Sequence, residues 1–423
     1  MITGGTLVGM SNGTYVRDNL VTLGQGINVT LDGVSITANT ANKNALVAWG
    51  TNLTVNDLTI DHENAKGGAP IIINNGASAT FTGSIDLTLG DKSWYGVNVD
   101  RAKADFSGAA LNVIGAKGTQ SDVCLDNTAD QQTVVRGVNL TTVVTKADNG
   151  NGTQVAYVAD ANLPEFVAQK TAAGADIETI ALNSDVELSA PLFLKEPMIV
   201  NGNGCAFIGT DKLGKENVVT VEKDGVDLSN VTIKTDAANK SALHIYKSSA
   251  TLTNVTLDNT NTAGGAGMVV NAGTATVYGN LNILLGEKSW GGINIDTSYG
   301  DAGVTFANGS HVSVSSTKED VQDAIYVDED DKTNGKTATV EGAEAAGLVQ
   351  DADGNYVVKE ETKPAEDNKP ANDNKNDEKK DDKKDGASPK TGDSSALLIA
   401  LMALAASGAA ATVVIRKRNE MSR

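Results

Sequence analysis

Chemistry in this chain of 423 residues has to come from few side chains, because it carries only three His, two Cys and three Trp. Two of the tryptophans sit in its most strongly repeated string. Residues 90–100 read G-D-K-S-W-Y-G-V-N-V-D, and residues 286–296 read G-E-K-S-W-G-G-I-N-I-D. An indole flanked by glycines, in a chain with 4% aromatic residues, is a platform on which a sugar ring can stack, with Lys and carboxylates beside it. Trp94 and Trp290 are therefore candidate glycan-stacking residues. The same two residues have a purely structural use, each packing over a turn edge and ordering a wide loop. A second string, Ser388-Pro389-Lys390-Thr391-Gly392-Asp393, is short and polar, and Pro389 fixes φ within it.

Other chemistry is thinly represented. There is no Gly-rich phosphate loop, no Cys/His zinc spacing and no nucleophile elbow, so no catalytic, cofactor-binding or metal residue is assigned. His62 lies in Asp61-His62-Glu63, whose counterpart in the second copy is Asp258-Asn259-Thr260, and it is expected to be a solvated loop residue. Asp328-Glu-Asp-Asp331 could hold Ca²⁺ but lacks the spaced oxygens of an EF loop, and a solvated acidic loop is expected. Cys124 and Cys205 fall in different copies of the repeat and are expected as small hydrophobes, not as a bridge. A formal charge of −19 argues against nucleic acid and anionic lipid surfaces as partners.

The elements that position these residues follow from the repeat. Residues 29–100 align with residues 226–296 across one single-residue gap, with roughly two positions in five identical. Within each copy a shorter unit recurs. Coils start at Val29, Leu53, Ala79, Ala104 and Thr133, and again at Val226, Ala250, Ala275, Val304 and Ala338. Two residues after each start the chain is apolar, and four residues after it stands Gly, Asn or Asp. Those three types are the ones that visit the left-handed region at least cost. Short strands of alternating apolar and Thr, Ser or Asn residues flank that corner. The spacing is that of a solenoid rung and predicts an all-β fold of two tandem parallel β-helices. The alternative is an antiparallel sandwich.

The flanking segments give the domain layout. Residues 1–158 form the first β-helix domain and residues 159–358 the second. Hairpins around residues 148–152 and 351–354 are expected to close the two copies. A short helix is predicted from Asn162, its N-cap, to Gly174, with Pro164 in its first turn and Phe166, Val167 and Thr171 on one face; it covers the open end of the second copy. The first copy lacks this cap. No export signal precedes Met1, and Met1-Ile2 matches Met198-Ile199, so Met1 reads as an internal start with the true N-terminus upstream. Residues 359–387 are rich in Lys, Glu, Asp, Asn and Pro and predict a disordered spacer.

The end of the chain combines three parts: the motif at 388–393, an uncharged Ala- and Leu-rich stretch at 394–415 long enough to span a bilayer, and a basic tail at 416–423. This order resembles the cell-wall sorting signal of Gram-positive surface proteins, with Ser388 where the usual motif has Leu. The resemblance implies a transmembrane helix, a sortase as partner, cleavage between Thr391 and Gly392, and covalent transfer of Thr391 to peptidoglycan at the cell surface. A plain membrane tail anchor is the alternative.

The coil pattern resembles the right-handed parallel β-helix of the pectate-lyase-like superfamily, which implies the fold and not an activity. The lyase set of Arg with clustered carboxylates is not found: the body has only Arg17, Arg101 and Arg136, and Thr297 replaces Arg101 in the second copy. The expectation is thus a non-enzymatic, wall-anchored surface protein, an adhesin or stalk whose flanks meet glycans or proteins. The alternative is a surface-attached polysaccharide lyase or glycoside hydrolase of the same fold, marked by Arg101 with three or more carboxylates in one groove.

Overall fold

Alternation along the strands builds the architecture. In Asn52–His62, Leu53, Val55, Leu58 and Ile60 are buried while Asn52, Thr54 and Thr59 face out. The alternation skips one residue at Asp57, whose φ of 52° bends the strand, so both halves keep their apolar side inward. A computed structural model describes residues 1–9, 18–115, 117, 120–126, 133–146, 153–317, 323–328 and 335–359 of the chain, all within the unit Met1–Glu361. These residues wind into a parallel β-solenoid of about eleven turns. Strands Asn28–Thr37, Asn52–His62, Ser78–Leu89 and Lys103–Ile114 pair in parallel, one turn to the next, with Val29, Leu53, Ala79 and Ala104 in one row. Val226, Ala250, Ala275 and Val304 form the matching row of the second copy. A sandwich has no such pairing between successive turns.

Stacking like on like holds the turns together. Phe81 and Phe106, both buried, stack with centroids 4.4 Å apart and planes 5° from parallel. On the outside, Asn52 donates its amide to Asn28 at 2.9 Å, and Asn56 donates to Asp32 at 2.8 Å. The buried apolar residues fall into two clusters, one from Leu23 to Leu125 and one from Val143 to Leu348.

The predicted coil starts hold for four turns of each copy and miss the fifth. Val135, not Thr133, stands opposite Ala104, and Val340, not Ala338, stands opposite Val304. The last turn of each copy therefore reaches its corner two residues early. There Gly137 and Gly342, with φ of 76° and 71°, fold back over Phe106 and Phe306, and a Cβ on either would lie 2.2 Å from the backbone of the turn below. Left-handed corners also occur at Gly33, Asp57, Gly83, Asn230, Asn254 and Gly279 as expected. Gly108 and Asn308 are not left-handed, and the corner after Asn308 moves to Gly309.

A second row of left-handed corners was not visible in the residue types. It runs through Gly50, Asn75 and Arg101 in the first copy and Lys247 and Ala272 in the second. An ordinary L-residue there costs about 1–2 kcal/mol, set against the backbone entropy lost by glycine on folding. Ala272→Gly is expected to raise the unfolding free energy by about 0.5–1 kcal/mol, measured by urea denaturation; an unchanged or lower midpoint contradicts the strain.

The seam between the copies differs from expectation. The first hairpin, Thr141–Lys146 with Thr153–Val158, does form, but its first strand also pairs antiparallel with Ile177–Ala181, placing Val143 opposite Ile180. It joins the sheets of the two copies and does not end the first. The helix Leu163–Ala172 follows, stopped at Gly174 with φ of 72°; Asn162 precedes it without a side-chain cap bond. Its Leu163, Phe166 and Val167 are buried in the second cluster, while Thr171 is half-buried. The later hairpin pairs Leu348–Gln350 with Tyr356–Val358. No helix among the described residues is long and apolar enough to cross a membrane. Residues 360–423, with the spacer, the motif Ser388 to Gly392 and the span at 394–415, lie outside the described residues.

Candidate functional site

The repeated string is a tight turn followed by a strand. In both copies a serine closes the turn. Ser93 N–H donates to Gly90 O at 3.0 Å and Gly90 N–H donates to Ser93 Oγ at 3.1 Å; the corresponding distances for Ser289 and Gly286 are both 3.0 Å. The serine is buried and reaches down one turn. Ser289 Oγ–H donates to Asn259 O at 2.9 Å, and Ser93 Oγ lies 2.8 Å from His62 Nδ1. His62 Nε2 lies 3.0 Å from the carbonyl of Lys43, which can only accept. Nε2 therefore carries the proton and Nδ1 accepts from Ser93. Burial pushes His62 down to about 4, partly offset by its hydrogen bond to Lys43, so the ring is neutral at pH 7.

His62 is thus fully buried, not solvated as expected. Its partner stands one turn away, which no local reading of Asp61-His62-Glu63 reveals. Asp61 caps that corner, accepting from Glu63 N–H at 3.0 Å, and Asp258 accepts from Thr260 N–H at 3.1 Å in the second copy. Neither Cys124 nor Cys205 is in a disulfide; the first is buried and the second half-buried.

The tryptophans point the other way. Trp94 is 51% exposed and Trp290 is 67% exposed. Their backbone N–H groups donate to Gly68 O at 2.7 Å and Gly265 O at 2.9 Å of the preceding turn. A Cβ on Gly67 or Gly264 would lie 3.9 or 3.4 Å from the respective indole Nε1, so each ring rests across a glycine of the turn below. Here the copies part. Over Trp94 lies the Lys43 ammonium, 4.3 Å from the ring centroid, and Tyr95 packs against its edge at 6.4 Å. Among the described residues no ammonium lies over Trp290, and Gly291 stands where the first copy has Tyr95. Beside Trp290 is a cavity of about 260 Å³ lined by Ala266, Trp290, Gly291, Asn294, Tyr326 and Asp328. Tyr326 is 39% exposed, and the amide oxygen of Asn294 has no hydrogen-bond partner.

Gly291, Asn294 and Tyr326 were not singled out from the sequence. The exchange of Tyr95 for Gly291 was legible inside the repeated string. Tyr326 was not, because it joins the site through the sheet, where Asn294 stands opposite Tyr326 as Asn98 stands opposite Cys124.

Of the described arginines, Arg101 meets its neighbour Asp100 at 3.2 Å at the corner after Tyr95–Asp100, and Arg136 stands opposite Asp105 in the next ladder. Among the described residues no group of three or more His, Cys, Asp or Glu is placed to hold a metal ion. Of the acidic loop only Asp328 is described. Comparison with protein-family models, with curated proteins and with solved structures finds no match.

Proposed function

We propose that the chain is a non-enzymatic surface protein of a Gram-positive bacterium, anchored to the cell wall and displaying the flanks of two tandem right-handed β-helices to glycans or proteins. The observation that carries this reading is the C-terminal order of motif, apolar span and basic tail after a charged, Pro-containing spacer. The span at 394–415 would hold the chain in the membrane as a helix while residues 388–392 reach a sortase. The sortase cysteine attacks the carbonyl carbon of Thr391 and the Thr391–Gly392 bond breaks. An amine of the peptidoglycan cross-bridge then takes the Thr391 acyl group and releases the thiol. The spacer carries the solenoid clear of the wall. A stack of parallel turns suits that task, since each turn is braced by its neighbours and the flank stays regular along its length.

Thr391→Ala is expected to lower the wall-linked fraction at least tenfold and move the protein to the membrane or the medium, read by immunoblot of wall, membrane and medium fractions. Unchanged wall linkage overturns sortase attachment.

A further inference from the structure

The two copies hold one site in two states, and the difference lies in where a single phenol ring is placed. In the first copy the ring belongs to Tyr95. Its hydroxyl reaches the side chains of Gln154 and Cys124, and it is half-buried against the outer face of the sheet, where Cys124 is 1% exposed. Tyr95 thus fills the space next to Trp94. In the second copy that position is Gly291, and the ring is carried instead by Tyr326, at the sheet position of Cys124. Removing the ring from beside the Trp and placing one across from it opens the cavity between Trp290 and Tyr326.

We infer that this cavity binds one neutral pyranose ring of a glycan, and that the first copy's counterpart is closed to it by Tyr95 and Lys43. The lining is amphipathic in the way a sugar is. The C–H face of a pyranose packs on the exposed indole of Trp290, its edge meets the phenol of Tyr326, and a ring hydroxyl can donate to Asp328 in the lining. The volume lies just under the range of about 300–1,000 Å³ usual for small-molecule sites, enough for a ring and too short for a helix or a strand of a partner protein. Asp328 in the lining and the charge of −19 disfavour an anionic sugar. The site deepens the reading of the flank as a display surface and rests on it.

The test uses the full chain and saturation-transfer NMR with methyl glycosides of glucose, galactose, mannose and N-acetylglucosamine, with methyl glucuronide as the anionic comparison. At least one neutral glycoside is expected to bind. Gly291→Tyr, which restores the first copy's residue, is expected to weaken binding at least tenfold, as is Trp290→Ala. Trp94→Ala is expected to bind as wild type. A Cβ at Gly291 would lie 3.3 Å from Asp323 O and 3.9 Å from Tyr326 Cβ, a fit that needs only a small adjustment. Circular dichroism reports whether Gly291→Tyr is folded; if it is not, the Trp290→Ala and Trp94→Ala pair decides. Binding of no neutral glycoside, a preference for glucuronide, equal binding by folded Gly291→Tyr, or loss with Trp94→Ala each overturns the site. Wall linkage that depends on Thr391, with no glycoside bound, removes the site and leaves the anchoring intact.

Discussion

Replacing Gly286 by alanine is expected to lower the unfolding free energy by about 3 kcal/mol or more, and Gly90→Ala to do the same in the first copy. Neither glycine is there for a left-handed φ. Each is there because the turn before the tryptophan lies directly on the backbone of the turn below. A Cβ on Gly286 would stand 1.9 Å from Thr260 O and 2.7 Å from Thr260 C; on Gly90 it would stand 1.8 Å from Glu63 O. These are backbone atoms of the residues that directly follow the last ladder pairs, Asn259 with Leu285 and His62 with Leu89, so no side chain can swing aside. Relief requires moving the turn outward by more than an ångström. That breaks the paired bonds between Ser289 and Gly286, pulls Ser289 off Asn259 O and frees Trp290 from Gly265. Lys288→Ala, two residues away on the exposed side of the same turn, is the control and is expected to change stability by less than about 0.5 kcal/mol. Urea unfolding of the three variants reads the difference. An alanine at 286 that behaves like the one at 288 would show that the turn is not seated on its neighbour.

The same turn shows what was legible in the sequence and why the rest was not. Recurrence of Lys-Ser-Trp placed the string at the same level of two copies, and the recurring coil start with its Gly, Asn or Asp corner between alternating strands was enough to expect a solenoid. Both are patterns of residue type read along the chain. The contacts that give the turn its form run between turns: His62 to Ser93, Gly286 to Thr260, Asn294 to Tyr326. They join residues about thirty apart across loops of unequal length, and no local pattern encodes which pairs meet. The fifth-coil error has the same origin. Gly137 and Gly342 were aligned with Gly33 and Gly83 by type, yet they serve a terminal turn that folds over a phenylalanine, and only the ladder register tells the two uses apart. The seam was missed because a hairpin that ends a sheet and one that continues into the next sheet have the same sequence signature.

That seam carries the strongest expected pH dependence. Asp122 lies in Ser121–Asp126 and is 3% exposed, with no hydrogen-bond partner on Oδ1. Burial pushes its carboxyl up to about 7; the Ala159 N–H offsets part of this and the neighbouring Asp160 adds to it. Asp160 is itself raised, first by burial, with Glu187 beside it contributing both a lowering N–H and a raising charge. A carboxyl whose pKa is higher folded than unfolded stabilises the fold below its unfolded pKa and loses that contribution as pH rises through the folded value. A rise from 3.8 to about 7 amounts to about 4 kcal/mol in all, of which about 2 kcal/mol is lost between pH 5.5 and 8.5. His62 works in the opposite direction. Its folded pKa of about 4 lies below the unfolded value, so its contribution is present above about 6.5 and is lost as pH falls. In the wild-type pH profile these two oppose each other, and Asp160 and His244, also shifted, add to it. The quantity to measure is therefore the difference between Asp122→Asn and wild type, in which His62 cancels. That difference is expected to shift by about 2 kcal/mol in favour of the asparagine as pH goes from 5.5 to 8.5, followed by urea denaturation at each pH. A difference that stays constant across this window would mean that Asp122 is ionised throughout, and that the seam is open enough for water to reach it.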